Sequence, residues 1–162
     1  MLTYVDASVL IAAARGRSAE ATRALAVLDD AAREFVASEF LRLEVLPKAI
    51  YHQRQAEVAL YERFFQGVRQ WAVVSQALLD SARVVAAEHG LAAMDALHIA
   101  AAEALGAAEF VTGEKKQKPL FRVSRGAAEE HRGGGGFHWW VGGGTAIRAH
   151  WSGSIAPYGS RR

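Results

Sequence analysis

Four short apolar segments, at residues 2–6, 34–37, 71–74 and 109–112, are separated by one or two stretches of helical periodicity. This spacing constrains the fold more than any other feature of the chain. A strand that returns after a helix has crossed over the sheet, so consecutive strands run parallel and the helices cover both faces. The expected fold class is therefore α/β, with a central parallel sheet of four or five short strands; residues 120–123 supply the candidate fifth. A chain of 162 residues suffices for one full domain with its own core. No apolar run approaches the ~18 residues that span a bilayer, so no membrane association is expected. The N-terminus enters a strand-like segment directly, without the pattern of a signal peptide. The chain has no cysteine, which excludes a disulfide framework, a thiolate metal site and a thiol nucleophile. Cytoplasmic residence is the resulting expectation.

Between the strands, residues 7–14 read as a helix, and residues 18–32 repeat Ala21, Leu25 and Leu28 at helical spacing behind Ser18 as N-cap. Ser38 is placed to cap a helix over 39–52, with Pro47 expected to kink it. A further helix is expected over 56–68. Ser75 begins another that runs through His89 and stops at Gly90. Residues 95–105 form an alanine-rich helix stopped by Gly106.

The last 39 residues differ in kind. They hold ten of the fifteen glycines and three of the four tryptophans, with no aspartate. The runs Gly133–Gly136 and Gly142–Gly144 argue against regular structure there. The expected division is thus a domain over 1–123 and an irregular or flexible glycine-rich tail over 124–162. Charge divides at the same place: residues 1–123 carry 14 Lys/Arg against 15 Asp/Glu, and residues 124–162 carry 5 against 2. A nearly neutral main domain does not support a generic polycation reading.

Four acids stand at the margins of apolar segments: Asp6, Glu44, Asp95 and Glu114. An unpaired buried carboxylate is costly, and a shared divalent cation is one compensation. Ligands of open parallel sheets bind outside the carboxyl ends of the strands. Asp6 ends the first strand and Glu114 follows the fourth, so both point to one edge of the sheet. Each acid also has a structural alternative. Asp6 can cap the helix that follows it, and Asp95 can cap its own helix by accepting from the His98 amide. Glu44 stands four residues before Lys48, the favoured order for a surface ion pair. Glu114, beside Lys115 and Lys116, can belong to a solvated charged loop.

Taken together, the segments YVDASVLIAAA (4–14), ASEFLRLEVLPKA (37–49), GLAAMDALHIAAAEALGA (90–107) and FVTGEK (110–115) resemble the PIN-domain family. The nearest likeness is to the VapC-type toxins of prokaryotic toxin–antitoxin pairs, and it covers nearly all of residues 1–123. The resemblance implies a PIN-like three-layer sandwich and an endoribonuclease dependent on Mg²⁺ or Mn²⁺. It also implies a cognate antitoxin and a homodimer. Asp6, Glu44 and Asp95 fall on the family's main acidic positions, and Ser8 and Thr112 on hydroxyl positions near the metal. Two departures stand out. Glu114 occupies a fourth position that is usually aspartate, and the glycine-rich tail replaces or follows the usual closing strand.

Phosphodiester hydrolysis suits this set, because hard oxygen ligands hold Mg²⁺ while leaving room for water and a substrate phosphate. Asp6, Glu44 and Asp95 are the expected ligands, with Glu114 supporting a second ion or positioning water. Lys115, Lys116, Lys118 and Arg122 follow closely and can hold RNA phosphates, or form no more than a solvated basic loop. His98, three residues after Asp95, can face the site, although a helix histidine bonded locally is the favoured reading. His131 and His138 fit no established zinc spacing, the glycine run lacks the Lys-Ser/Thr pair of a phosphate loop, and Trp139 and Trp140 can stack on bases. The rival expectation is a PIN fold that binds RNA or protein without cutting. A dehalogenase-type phosphatase is disfavoured, since Asp6-Ala7-Ser8 lacks its second aspartate.

Overall fold

The computed structural model describes residues 1–113 throughout, and residues 137–141 and 145–149 as strands. Elements follow in the order β1 (Leu2–Val5), α1 (Ala7–Arg15), α2 (Ala19–Leu28), β2 (Glu34–Ala37), α3 (Glu39–Tyr51), α4 (Gln55–Gln66) and β3 (Gln70–Trp71). Then come α5 (Gln76–His89), α6 (Ala93–Ala104), β4 (Glu109–Thr112), β5 (Phe137–Val141) and β6 (Thr145–Ala149). The strands lie in the order β3-β2-β1-β4-β5-β6. All neighbours pair in parallel except β5 and β6, which are antiparallel.

Strand side chains alternate between two faces, and here each face has its own core. Tyr4, Val36 and Phe110 point to one side, where Leu78 and Val85 of α5 and Ile99 of α6 pack on them. The next residues along the same strands, Val5, Ala37 and Val111, point to the other side. There they meet Leu10 of α1, Leu41 and Val45 of α3, and Tyr61 and Phe65 of α4. The molecule is thus the three-layer α/β sandwich expected of a PIN-like chain, with α5 and α6 on one face and α1 to α4 on the other. The Tyr4 and Phe110 rings stack at 5.5 Å between neighbouring strands. Full burial of side chains of this size contributes roughly 1.5–3 kcal/mol each.

Helix boundaries follow local chemistry. Ser18, Ser38 and Ser75 cap α2, α3 and α5 by accepting the amides of Ala21, Leu41 and Leu78. Gly90 closes α5 in the left-handed conformation, at φ 66°. Helix α2 stops at Leu28, short of residue 32, because Asp30 turns the chain by accepting the Ala32 amide. Helix α3 runs through Pro47. Two strand expectations change. Strand β3 has only two residues, and Val73 and Val74 leave the sheet for solvent. In the tail, expected to be irregular, residues 137–141 and 145–149 instead form β5 and β6. The sequences FHWWV and TAIRA are rich in β-formers, and they pair antiparallel. The strand expected at 120–123 lies outside the described residues. Among the described residues no helix is long and apolar enough to cross a membrane.

Candidate active site

Asp6 stands at the carboxyl end of β1, where its amide donates to the Val111 carbonyl. As N-cap of α1 its carboxylate accepts the Ser8 and Val9 amides, so the capping role is real. Its other contacts are hydroxyls. Ser8 Oγ donates to Asp6 Oδ1 and accepts the Gly113 amide at 2.7 Å. A Cβ on Gly113 would lie 3.0 Å from Ser8 Oγ, a tight fit for any other residue at this position. The buried Thr112 side chain also bonds to Asp6. Burial pushes the Asp6 carboxyl above its ordinary value, against the opposing pull of these two hydroxyls. Ser8 and Thr112, separated by a hundred residues of sequence, are thus brought to one carboxylate because β1 and β4 are neighbours.

Glu44 lies in the second turn of α3, with its side chain 38% exposed. Its carboxylate bonds at 2.8 Å to Nε2 of His98 on α6; Lys48 adds only a longer-range attraction. The His98 bond holds Glu44 below its ordinary value, against the cost of partial burial. His98 is therefore not locally bonded. It is almost fully buried, and its Nδ1 meets the Tyr4 hydroxyl at 2.8 Å. That hydroxyl also bonds Ser38 Oγ at 2.7 Å. The one clue in the sequence was the placement of His98 one helical turn after Asp95.

Asp95 is half-buried in the first turn of α6, and the N-cap is Ala92, which makes no side-chain cap bond. Asp95 is thus the third residue of the helix and not its N-cap residue. Helix α6 leads into β4 at the amino edge of the sheet, so its first turn lies toward the carboxyl edge that carries Asp6. Glu114, Lys115, Lys116, Lys118, Arg122 and His131 lie outside the described residues, and His138, Trp139 and Trp140 are described only as members of β5. Among the described residues no three His, Asp or Glu side chains converge closely enough to form a ready cage for a metal.

A comparison of buried acids shows what is unusual at this edge. Glu57 pairs with Arg15 and Arg54. Glu109, at the opposite edge, takes Arg33 Nε at 2.8 Å and Nη2 at 3.0 Å, and Thr3 Oγ1 at 3.0 Å. Asp6 forms no ion pair with Lys or Arg among the described residues, although burial raises the cost of its charge. A buried carboxylate supported by hydroxyls and backbone amides, with no Lys or Arg ion pair among the described residues, fits a hard divalent cation of the Mg²⁺ type. Asp6 is best placed to hold such an ion, with Glu44 and Asp95 on adjoining elements.

The PIN domain family model matches residues 3–120 of this chain. No curated protein matches it. Among solved structures, it is similar to VapBC2 from Rickettsia felis bound to a DNA fragment from their promoter. That likeness has a TM-score of 0.54 and 12% identity, and covers 70% of this chain and 89% of the other. At that identity the likeness is one of fold.

Proposed function

The chain belongs to the PIN-domain family, and from that premise we propose that it is a metal-dependent endoribonuclease, the toxin of a toxin–antitoxin pair. The observation that carries this reading is Asp6: a carboxylate buried at the carboxyl edge of a parallel sheet, supported by Ser8 and Thr112 but in no ion pair with Lys or Arg among the described residues. Asp6, Glu44 and Asp95 would hold Mg²⁺ or Mn²⁺ directly or through water, and Glu114 would support a second ion or position water. When bound, such an ion lowers the pKa of water and offsets charge developing on the phosphoryl oxygens. The chain's own groups do the rest. Ser8 and Thr112 fix the Asp6 carboxylate, and His98 fixes that of Glu44. Glu44, held in its charged form, is suited to orienting an attacking water. Lys115, Lys116, Lys118 and Arg122, following β4, would take RNA phosphates.

The partners follow the same reading. The solved relative is a VapBC2 assembly, which supports an antitoxin partner here. A homodimer also fits, and the exposed apolar residues Leu43, Ile50 and Tyr51 on α3 provide surface for such contacts. Residues 1–123 are assigned as the nuclease domain and 124–162 as an appended segment, and the expected compartment is the cytoplasm. The second reading is a PIN fold that binds RNA or protein without cutting, motivated by Glu114 in place of the usual aspartate and by the glycine-rich tail.

Cleavage of a mixed RNA pool separates the two. The purified chain should cut in Mg²⁺ or Mn²⁺, stop on addition of chelator, and lose cleavage on Asp95→Asn with its circular dichroism unchanged. Wild-type cleavage by Asp95→Asn would show that the assigned site is wrong. A folded, metal-supplied protein that cuts nothing would favour the non-cutting reading.

A further inference from the structure

We propose that His98 is a positioning residue for the metal site, and that Ser38, Tyr4 and His98 form a buried brace that sets the spacing of the three site carboxylates. The inference rests on the nuclease reading above and adds residues to it. Ser38 Oγ and the Tyr4 hydroxyl are 2.7 Å apart, Tyr4 and His98 Nδ1 2.8 Å, and His98 Nε2 and Glu44 2.8 Å. All three members are almost wholly buried. The links span 34, 94 and 54 residues of sequence. None is a product of local helix geometry.

Each member stands on an element that carries one of the acids. Tyr4 is two residues before Asp6 in β1, His98 is one turn after Asp95 in α6, and Ser38 begins α3, which carries Glu44. The brace therefore closes a triangle: β1 to α6 through Tyr4 and His98, α6 to α3 through His98 and Glu44, and α3 to β1 through Ser38 and Tyr4. Hydrogen-bond chemistry also closes along it. The Leu41 amide donates to Ser38 Oγ at 3.4 Å. In the Nε2–H tautomer the protons then run one way, from Ser38 to Tyr4, from Tyr4 to His98 Nδ1, and from His98 Nε2–H to the Glu44 carboxylate. With a neutral imidazole each link has one proton and each acceptor one donor. Groups that hold a ligating carboxylate typically change metal affinity about 10–100-fold when removed.

Mn²⁺ binding, followed by electron paramagnetic resonance on the full chain without RNA, tests the brace independently of cleavage. Tyr4→Phe keeps the ring stacked on Phe110 and removes only the hydroxyl. It should weaken Mn²⁺ binding about 10-fold, and His98→Ala by up to about 100-fold. His98→Gln should recover part of the loss, because its amide can still donate to Glu44. Asp6→Asn is the control that places the ion. If wild type binds Mn²⁺, Asp6→Asn loses it, and folded Tyr4→Phe and His98→Ala bind as wild type does, the brace is refuted while the metal site stands. A wild-type chain that does not bind Mn²⁺ overturns the nuclease reading and the brace with it. A merely structural role for His98 would lower Tm and leave the affinity of the folded variants unchanged.

Discussion

Asp6 serves two ends that differ in their charge requirement. As N-cap it is well placed whether it is aspartate or asparagine, because either side chain accepts the Ser8 and Val9 amides. As a buried carboxylate it is costly without a cation. Asp6→Asn should therefore leave the metal-free Tm at least as high as that of wild type. Added Mn²⁺ should raise the wild-type Tm by mass action and leave the variant's unmoved, as read by thermal melting. Glu103 provides a titration away from this site. Burial, with Glu88 nearby, raises its value from 4.5 to about 7. For an acid raised on folding, the stabilising contribution is complete below the ordinary value and is lost as pH rises through about 7. Glu103→Gln should match wild type at pH ~4 and exceed it by on the order of 1–3 kcal/mol at pH ~8, measured by urea unfolding. At this scale the sequence reading was uneven. Resemblance located Ser8 and Thr112, and the structure places both on Asp6. His98 was read as locally bonded, because its actual partners are dozens of residues away and leave no periodic trace.

The elements are where the sequence was most legible. Serine caps, glycine stops and runs of four apolar residues act locally, so the starts of α2, α3 and α5, the end of α5 and the bounds of β4 can be read from them. Where the outcome depended on neighbours, the reading drifted. Strand β3 is short because β2, with which it pairs, ends at Ala37 opposite Trp71 and gives way to α3, so Val73 and Val74 run past its end. The join between α1 and α2 shows the same dependence on packing. Gly16 has φ −86°, so its backbone is open to any residue. Space forbids it instead: a Cβ there would lie 2.4 Å from Ala21 Cβ and 2.7 Å from the Ala12 carbonyl oxygen. Gly16→Ala should cost about 1–3 kcal/mol by overpacking this crossing, visible as a lower urea midpoint with an unchanged m-value.

At the scale of the whole molecule, the division drawn at residue 123 meets a sheet that continues beyond it. Both buried clusters are built from residues between Tyr4 and Val111, so a chain truncated after residue 123 should fold. It should also expose the edge of β4 that pairs with β5, and self-associate more than the full chain in light scattering. If instead it fails to fold, the assigned domain boundary is wrong. By itself the sequence determined the α/β class, the two-faced sheet and the acidic edge. It did so because helix periodicity, strand length and capping are local, and the carboxyl ends of parallel strands necessarily share one edge. Only the tertiary structure decided which side chains meet there. Strand order put Thr112 and Ser8 on Asp6, and the packing of α6 against α3 put His98 on Glu44. Those contacts join segments dozens of residues apart, and such distances are set by how layers pack, not by spacing along the chain.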